Sequence, residues 1–405
     1  MRIALVIRRY DPQGGGAERW TDRHAHALVQ RGHEVHVVSQ RFEGDPPGER
    51  HTVEAPAGAD AGRLPFAAGA EALLQRLRPR LDVVHDMGDG WCCDVYMPHH
   101  GTRLATFEAV NRVRGPLARW LRPLAMRVLP RYRAFRELER RQYLPAPGKR
   151  FVAISEMVRG QMMERYGVPA GDVVVIRNGV DVDRFHPAQG VELEAARARR
   201  EALGLTGKLV FLLVAHQFKL KGLDLLLRVL GGMSGRRPEP ALVVVGDGKV
   251  ARYRRLAESL GCKGRVVFAG DQADALPWYH AADVYVQPTY YDPCSLTVME
   301  AMACGLPVIT TRMNGAAEPV GQGIEGLIMD DADRLEQLRA YMNRYADEGE
   351  RLAAGRAARR LAQRHTLDQQ VEALLRVYRG EPDPALHMQG VEPLPDGELD
   401  EAAGG

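Results

Sequence analysis

The sequence predicts an α/β fold with two parallel sheets, because short apolar runs alternate with longer amphipathic segments and the alternation restarts after residue 181. Buried parallel strands are almost continuously apolar, and the helices that connect them cover both faces of the sheet. Two series of five or six strands predict two Rossmann-like domains. The candidate strands are 2–8, 34–40, 81–87, 94–98, 150–155 and 173–177, then 209–216, 241–246, 265–269, 283–288 and 307–311. Helical patterns occupy 17–31, 222–230 and 251–260.

Length and composition support a globular chain. The 405 residues are 45% hydrophobic and 26% charged, which argues against a disordered, collagen-like or membrane-spanning chain. The longest apolar run, 209–215, is much shorter than the ~18 residues that span a bilayer. The apolar stretch 3–7 is too short for a signal peptide, and the five cysteines form no CxxC pair. We therefore expect reduced thiols and a cytoplasmic protein.

The net charge of +3 conceals two segments of opposite charge. Residues 111–142 contain ten arginines and two acids, whereas 380–405 contain seven acids and no Lys or Arg. We expect a disordered acidic tail over 381–405. One hypothesis for the basic segment is contact with an anionic membrane surface, peripheral and on the cytoplasmic side. The alternative is a solvated, Arg-rich helix pair. The residues that would make this membrane or acceptor contact are Arg119, Trp120, Arg122 and Arg127.

Three glycines, Gly14 to Gly16, follow the first candidate strand and precede a predicted helix. Glycine lets the backbone approach an anion, and a helix N-terminus adds free N–H groups. A dinucleotide site would require GxGxxG and an acid closing the second strand, but that strand ends in Ser39-Gln40. The glycines therefore indicate a ligand-facing loop of another kind, with a plain flexible turn as the alternative.

Two further strand ends carry polar residues. His99 follows the strand 94–98, where it could bind a substrate hydroxyl or act as acid or base, unless it is a surface histidine. Lys219 and Lys221 follow the first strand of the second half and precede a helix, an arrangement that suits a diphosphate but also fits two solvated lysines.

The segment 290–309 has the highest density of functional signals. Asp292 and Glu300 are eight residues apart, the first in a loop and the second on the helix that follows. Free amides at the start of that helix can bind phosphate, while carboxylates accept hydrogen bonds from sugar hydroxyls. A capping Asp and a surface Glu are the alternative.

At this segment the chain resembles the retaining glycosyltransferases of the GT-B fold, family 4 type. Asp292-x7-Glu300 precedes Ala301-Met302-Ala303-Cys304-Gly305-Leu306-Pro307-Val308, similar to the family's E-x7-E followed by A-x-A-x-G-x-P-V. Other matching landmarks, which extend the resemblance over about 1–380, are Gly14–Gly16 followed by Glu18-Arg19, Asn178-Gly179-Val180-Asp181, Lys221-Gly222 and Gly246-Asp247. Pro98-His99-His100-Gly101-Thr102-Arg103 and the basic insertion most resemble the lipopolysaccharide core glucosyltransferases.

The resemblance implies two Rossmann-like domains that face each other across a cleft. The first, on the acceptor side, covers 1–182 and contains a basic insertion at about 111–142. The second covers 183–362 and binds the nucleotide sugar, and a helix at 363–380 crosses back to the first domain. It implies that Glu300 binds ribose and that Lys219 and Lys221 neutralise the diphosphate. Other implied donor contacts are Gly15, Gly16, Gly246, Asp247, Cys294, Ser295 and the amides of Leu296 and Thr297. Asp292 would position the sugar, and His99 would contact sugar or acceptor, so His99, Asp292 and Lys221 form the implied catalytic set.

The resemblance also implies the partners: a nucleotide diphosphate sugar, with UDP-glucose the first choice, and a glycan or glycolipid acceptor such as lipopolysaccharide core. No metal or other cofactor is expected, because lysines and helix ends can carry the charge, and no nucleic acid partner is expected. Two departures concern the donor: Asp292 stands where the family has Glu, and His216 where it usually has Arg. A GT-B epimerase or hydrolase and a non-catalytic nucleotide-sugar-binding protein stay open as alternatives.

Overall fold

Two parallel sheets form the framework of the computed structural model, which describes residues 1–54, 62–114 and 130–381, without the side chains of 130–132. Within these residues the first half has a seven-stranded sheet in the order β5-β3-β1-β6-β7-β8-β9 and a small parallel pair, β2 and β4. These strands are β1 Arg2–Val6, β2 Arg9–Tyr10, β3 Glu34–Ser39, β4 Arg41–Phe42, β5 Glu49–Thr52, β6 Val83–Asp86, β7 Val95–Tyr96, β8 Arg150–Ala153 and β9 Val173–Val175. The first-half helices are α1 Gly16–Gln30, α2 Arg63–Leu77, α3 Arg103–Arg112, α4 Pro130–Gln142 and α5 Glu156–Tyr166.

The second half repeats this plan with a six-stranded parallel sheet, counted over the same described ranges, in the order β12-β11-β10-β13-β14-β15. Its strands are β10 Leu209–Val214, β11 Pro240–Val245, β12 Val266–Gly270, β13 Val284–Gln287, β14 Val308–Thr311 and β15 Gly326–Met329. Its helices are α6 Val191–Ala202, α7 Leu223–Gly231, α8 Val250–Ser259, α9 Leu276–His280, α10 Leu296–Ala303, α11 Leu335–Arg344, α12 Glu348–Ala362 and α13 Leu367–Tyr378. The predicted fold class, α/β with two Rossmann-like halves, is confirmed.

Every candidate strand coincides with a strand of the structure, because the central strands are the apolar runs that the pattern detects. β10 is buried along nearly its whole length, and α1 buries one face through Trp20, His24 and Leu28. The pattern missed β5, β15 and the two-residue strands β2 and β4. β5 reads Glu-Arg-His-Thr and lies at the edge of its sheet, where few side chains are buried, so no apolar run marks it.

The last helix, α13, packs against the first half rather than the second. Its Gln370 side chain accepts a hydrogen bond from the indole of Trp20 at 3.0 Å, and the hydroxyl of Tyr378 bonds to His24 at 2.8 Å. All three of Trp20, His24 and Tyr378 are buried. This packing joins the end of the described chain to helix α1.

The two halves also meet at the rim of the cleft. Arg112 of α3 forms ion pairs with Asp331, at 2.5 Å, and with Asp333, at 2.7 Å, in the second half. Near this contact Gly101 has φ +64° and approaches Tyr291 so closely that an added Cβ would lie 2.2 Å from the tyrosine hydroxyl. Only glycine satisfies both conditions, so the halves touch closely here.

No helix of the described residues is long and apolar enough to cross a membrane. The four residues predicted to contact a membrane or acceptor, Arg119, Trp120, Arg122 and Arg127, lie outside the described residues, as does the tail after Glu381.

Candidate active site

A cavity of about 360 Å³ lies in the cleft between the two halves. One wall comes from the glycine loop that joins β2 to α1 and from the segment after β7. The opposite wall comes from the segments after β10 and β13 and from the start of α10. Both walls therefore use the carboxyl ends of parallel strands, where ligands of such sheets bind. The predicted residues that line the cavity are Gly15, Gly16, His99, Lys221, Asp292, Cys294, Ser295, Leu296 and Thr297.

Helix α10 begins at the cavity wall. Ser295 is its N-cap, and its hydroxyl accepts from the amide of Val298 at 3.4 Å. The first amides of a helix have no acceptor within the helix and carry positive potential. Those of Leu296 and Thr297 therefore offer an anion site in the cavity wall. Gly16 lies directly opposite, since a Cβ added to it would be 3.7 Å from the Leu296 side chain.

Lys221 and Asp292 form an ion pair in the cavity wall. The ammonium nitrogen lies 2.7 Å from Oδ2 of Asp292 and 3.3 Å from the carbonyl oxygen of Tyr291. Gln287 donates to the same carboxylate oxygen at 2.9 Å. Among the described residues no donor contacts Oδ1 of Asp292, so that oxygen can accept a hydrogen bond from a bound hydroxyl.

Gln287 is held in place by a hydroxyl network. Its amide oxygen accepts from Tyr285 at 2.8 Å and from Ser295 and Thr297 at 3.2 Å each. Because these hydroxyls occupy the oxygen, the amide nitrogen is directed at Asp292. Gln287 is thus a positioning residue that sequence reasoning missed, although its place at the end of strand β13 was a usable signal.

His99 lines the first-half wall with its ring against Trp20, the two centroids 4.1 Å apart. Its Nε2 atom is buried and has no partner within the described residues. Burial, followed by the nearby His100 and His24, lowers the pKa of His99 to about 3. The imidazole is therefore neutral at physiological pH, and its Nε2 atom can form one hydrogen bond with a ligand.

Glu300 does not line the cavity but is buried beside it on α10. Its Oε1 accepts from the guanidinium of Arg23 at 3.3 Å, and its Oε2 accepts from the hydroxyl of Tyr279 at 3.0 Å. Arg23 belongs to α1, so this ion pair crosses between the halves. The pairing explains how a carboxylate is tolerated on an otherwise apolar helix face.

Two family models together match most of the chain. The model described as Glycosyltransferase Family 4 matches residues 14–184, and that described as Glycosyl transferases group 1 matches residues 196–379. Each match contains one wall of the cavity. The chain belongs to the family 4 glycosyltransferases of the GT-B fold.

Named relatives of this glycosyltransferase chain are about one-third identical to it. The D-inositol 3-phosphate glycosyltransferase of Salinispora arenicola is 32% identical over 248 residues, which cover 58% of this chain and 55% of the relative. The GDP-mannose-dependent alpha-(1-6)-phosphatidylinositol monomannoside mannosyltransferase of Mycolicibacterium smegmatis is 34% identical over 220 residues, covering 52% and 56%. The chain thus spans about half the length of the curated relatives it matches.

Solved structures share the fold over a longer stretch. WaaG, a glycosyltransferase involved in lipopolysaccharide biosynthesis, superposes with a TM-score of 0.78 at 24% identity and covers 93% of this chain and 100% of its own. HepE of Anabaena in complex with UDP-glucose gives a TM-score of 0.71 at 19% identity, covering 94% and 100%. At these identities the likeness shows the fold.

Three other residues predicted as donor contacts of this glycosyltransferase, Lys219, Gly246 and Asp247, are not among those that line the cavity. Lys219 is half-buried, and Asp247 is exposed. Gly246 has φ +123°, and a Cβ there would lie 2.0 Å from the carbonyl oxygen of Ala215, so this glycine serves the close packing of β11 against β10.

Arg19 is a cavity residue that was noted as a landmark of the glycosyltransferase family but given no role. It lines the first-half wall, and its Nε atom is buried with no partner in the described part of the chain. A guanidinium with an unpaired donor in such a cavity suits an anionic ligand. The Glu18-Arg19 pair, which follows the glycines after Ala17, was the sequence signal that could have indicated it.

Proposed function

We propose that the chain transfers a hexose from a nucleoside diphosphate sugar to an acceptor hydroxyl, with retention of anomeric configuration. The observation that carries this proposal is the cleft cavity, in which a glycine loop on one half faces a lysine and a helix N-terminus on the other. Such groups suit a diphosphate, and the membership of family 4 gives the reaction class.

The diphosphate would lie between Lys221, Arg19 and the amides of Leu296 and Thr297. These groups supply positive charge from both halves of the protein, and oriented amides cost no reorganisation when charge develops on the leaving group. We propose that they replace a divalent cation in the transfer step. Among the described residues, the two His and Glu clusters with metal-ligand spacing contain no cavity residue.

The sugar would lie against Asp292 and His99. Since Asp292 is already paired with Lys221 and Gln287 through Oδ2, we assign it the binding of a sugar hydroxyl through Oδ1 rather than nucleophilic attack. The acceptor oxygen would attack the anomeric carbon on the face that the diphosphate leaves. The bond from that carbon to the phosphate oxygen breaks, and this oxygen takes the acceptor proton. Catalysis is then mostly positioning and charge stabilisation.

The donor is proposed only to the level of a nucleoside diphosphate hexose. UDP-glucose was the first choice from sequence, whereas one relative is named for GDP-mannose and others for inositol 3-phosphate. We propose a glycolipid or phosphorylated polyol as the acceptor, consistent with the arginine-rich sequence of residues 111–142.

Thermal unfolding with UDP, GDP, ADP and their sugars tests the proposal, since a ligand of the folded state raises the midpoint by mass action. We expect one nucleoside diphosphate and its sugar to stabilise the chain, and slow release of free sugar with retained configuration. Absence of stabilisation by every nucleotide would overturn the proposal. Stabilisation without any transfer or hydrolysis would favour the non-catalytic alternative.

A further inference from the structure

A cluster of two histidines and a glutamate lies at the outer edge of the first-half sheet. His36 is on β3, and Glu49 and His51 are on the edge strand β5. The register places His36 opposite Glu49, and residues two apart on a strand share a face, so all three side chains lie on one side of the sheet. The His36 side chain is fully buried, His51 is 10% exposed and Glu49 is 45% exposed.

The ligand atoms of this cluster have the spacing of a metal centre. Nδ1 of His36 lies 3.0 Å from Nε2 of His51 and 3.3 Å from Oε2 of Glu49. Nε2 of His51 lies 3.5 Å from Oε1 of Glu49. In a tetrahedral zinc site with bonds of 2.0–2.1 Å, neighbouring ligand atoms are about 3.3 Å apart. The three observed distances fall within a few tenths of an ångström of that value. Glu49 faces His36 through Oε2 and His51 through Oε1, so its carboxylate would bind the ion through both oxygens or turn to bind it through one.

A second carboxylate supports the orientation of His36. Its other ring nitrogen, Nε2, lies 3.0 Å from Oε1 of Glu34. When Nε2 of His36 carries the proton and donates it to Glu34, the lone pair of Nδ1 is directed at Nε2 of His51 and at Glu49, and a bound ion would replace the proton that the two histidines otherwise share. A carboxylate behind a ligating histidine is the common arrangement in protein metal sites. Arg80 donates to Oε2 of Glu49 at 3.0 Å and fixes the position of the Glu49 carboxylate.

We propose that His36, Glu49 and His51 bind Zn²⁺, with water in the fourth position. Two neutral imidazoles and a carboxylate are a common zinc ligand set. None of the three residues lines the cleft cavity, so the ion would hold the sheet edge together rather than take part in the transfer. It would join β5, a four-residue polar edge strand, to β3 beside it, where edge hydrogen bonds alone hold the strand weakly.

The other cluster with metal-ligand spacing, His186, Glu192 and His280, provides a matched control. There Nδ1 of His186 lies 3.0 Å from the carbonyl oxygen of Pro187, and Nε2 of His280 lies 2.9 Å from that of His186. A ring nitrogen that bonds to a carbonyl oxygen must carry the proton, so a metal ion at this cluster would have to use the opposite nitrogen of each ring or break these two bonds. We expect no metal there.

The experiment is a titration of the full, tag-free, chelator-treated chain with Zn²⁺ by calorimetry and with Co²⁺ by visible ligand-field absorption. We expect one equivalent to bind, with a tetrahedral Co²⁺ spectrum and a higher midpoint of thermal unfolding. Glu49→Gln and His51→Gln should each weaken Zn²⁺ binding at least tenfold, and Glu34→Gln about 10- to 100-fold by loosening His36. His280→Gln should leave binding unchanged.

Failure to bind either metal would overturn the site and leave a hydrogen-bonded histidine pair. Binding that survives in Glu49→Gln and His51→Gln but is lost in His280→Gln would move the ion to the other cluster and equally overturn the proposal. Because Glu49 and His51 are on the sheet edge, circular dichroism of the metal-free variants checks that they still fold.

Discussion

The ammonium nitrogen of Lys221 lies 2.7 Å from Oδ2 of Asp292, so the cation and the carboxylate that line the second-half wall of the cavity are already paired. Asp292 is one methylene shorter than the glutamate of the family pattern. Its carboxylate lies between Lys221 and Gln287, which binds the same oxygen. A diphosphate in this cavity would meet a lysine whose position is fixed by Asp292 before the ligand arrives.

Lys221→Ala should lower kcat/KM by about 100-fold or more, because it removes a charge aimed at the leaving diphosphate. Lys219→Ala is the matched control: it removes a lysine two residues away that the structure places outside the cavity lining, and activity should stay within a few-fold of wild type. Steady-state kinetics with the stabilising donor measures both. If Lys219→Ala is the more damaging variant, the sequence expectation for Lys219 is right and the assignment of Lys221 is wrong.

The resemblance implies that Glu300 binds ribose, and on that role Glu300→Ala should weaken nucleotide binding about 10- to 100-fold, because a hydrogen bond to a charged group contributes about 1.5–3 kcal/mol. Since Glu300 is buried beside the cavity and paired with Arg23, a structural role is the alternative. To separate a ribose contact from a structural role, wild type and Glu300→Ala are each tested with the nucleotide and with its 2′-deoxy analogue. Wild type should bind the deoxynucleotide less tightly than the nucleotide, and Glu300→Ala should bind the two alike. Calorimetry gives all four affinities.

Arg23→Met is the control for that cycle, since it removes the first-half partner of Glu300 but leaves the carboxylate. The variant should keep the preference for the ribonucleotide. Equal loss of preference in Arg23→Met and Glu300→Ala would show that the ion pair between the halves, rather than a ribose contact, controls binding.

The strands could be predicted from sequence because buried parallel strands are continuous apolar runs, as β10 and β11 are. The polar strand β5 could not be predicted in this way, because its residues Glu49–Thr52 lie at the sheet edge and need not be apolar. Lys221, Asp292 and the start of α10 could be assigned to one cavity because strand ends of a parallel sheet converge.

Their partners could not be predicted. Arg23 and Glu300 are 277 residues apart, and only the docking of α1 onto the second half brings them together. The direction of the Gln287 amide depends on three hydroxyls from two elements. Such contacts depend on how the two halves pack against each other. The packing of two halves leaves no periodic pattern in a single sequence, so it could not be predicted.

His99 should not give an ionisation to the pH–rate profile near neutrality, because burial holds its pKa at about 3. His99→Gln should lower kcat while keeping the shape of the profile of kcat/KM between pH 5 and 8. An acid limb that is present in wild type and absent in His99→Gln would contradict the neutral imidazole.

The same shift predicts a stability effect with a definite sign. Between pH 6.5 and about 3 the unfolded chain binds a proton at this histidine that the folded chain does not, so His99 lowers the free energy of unfolding as pH falls through that window. His99→Gln should make that decline less steep. Urea unfolding at pH 7 and pH 5 measures the difference.

The basic segment should bind anionic vesicles. In its described part, Arg133 and Arg136 of α4 are exposed. Basic side chains near an anionic surface contribute ~1 kcal/mol each. Arg133→Gln with Arg136→Gln should therefore weaken sedimentation with anionic vesicles roughly 30-fold at low salt. Arg254→Gln with Arg255→Gln removes the same charge from exposed positions on the second half and should have little effect.

Equal partitioning of wild type onto anionic and neutral vesicles would reject the electrostatic contact. Equal losses of vesicle binding in the two double variants would show that the net charge of the protein, rather than α4, is responsible.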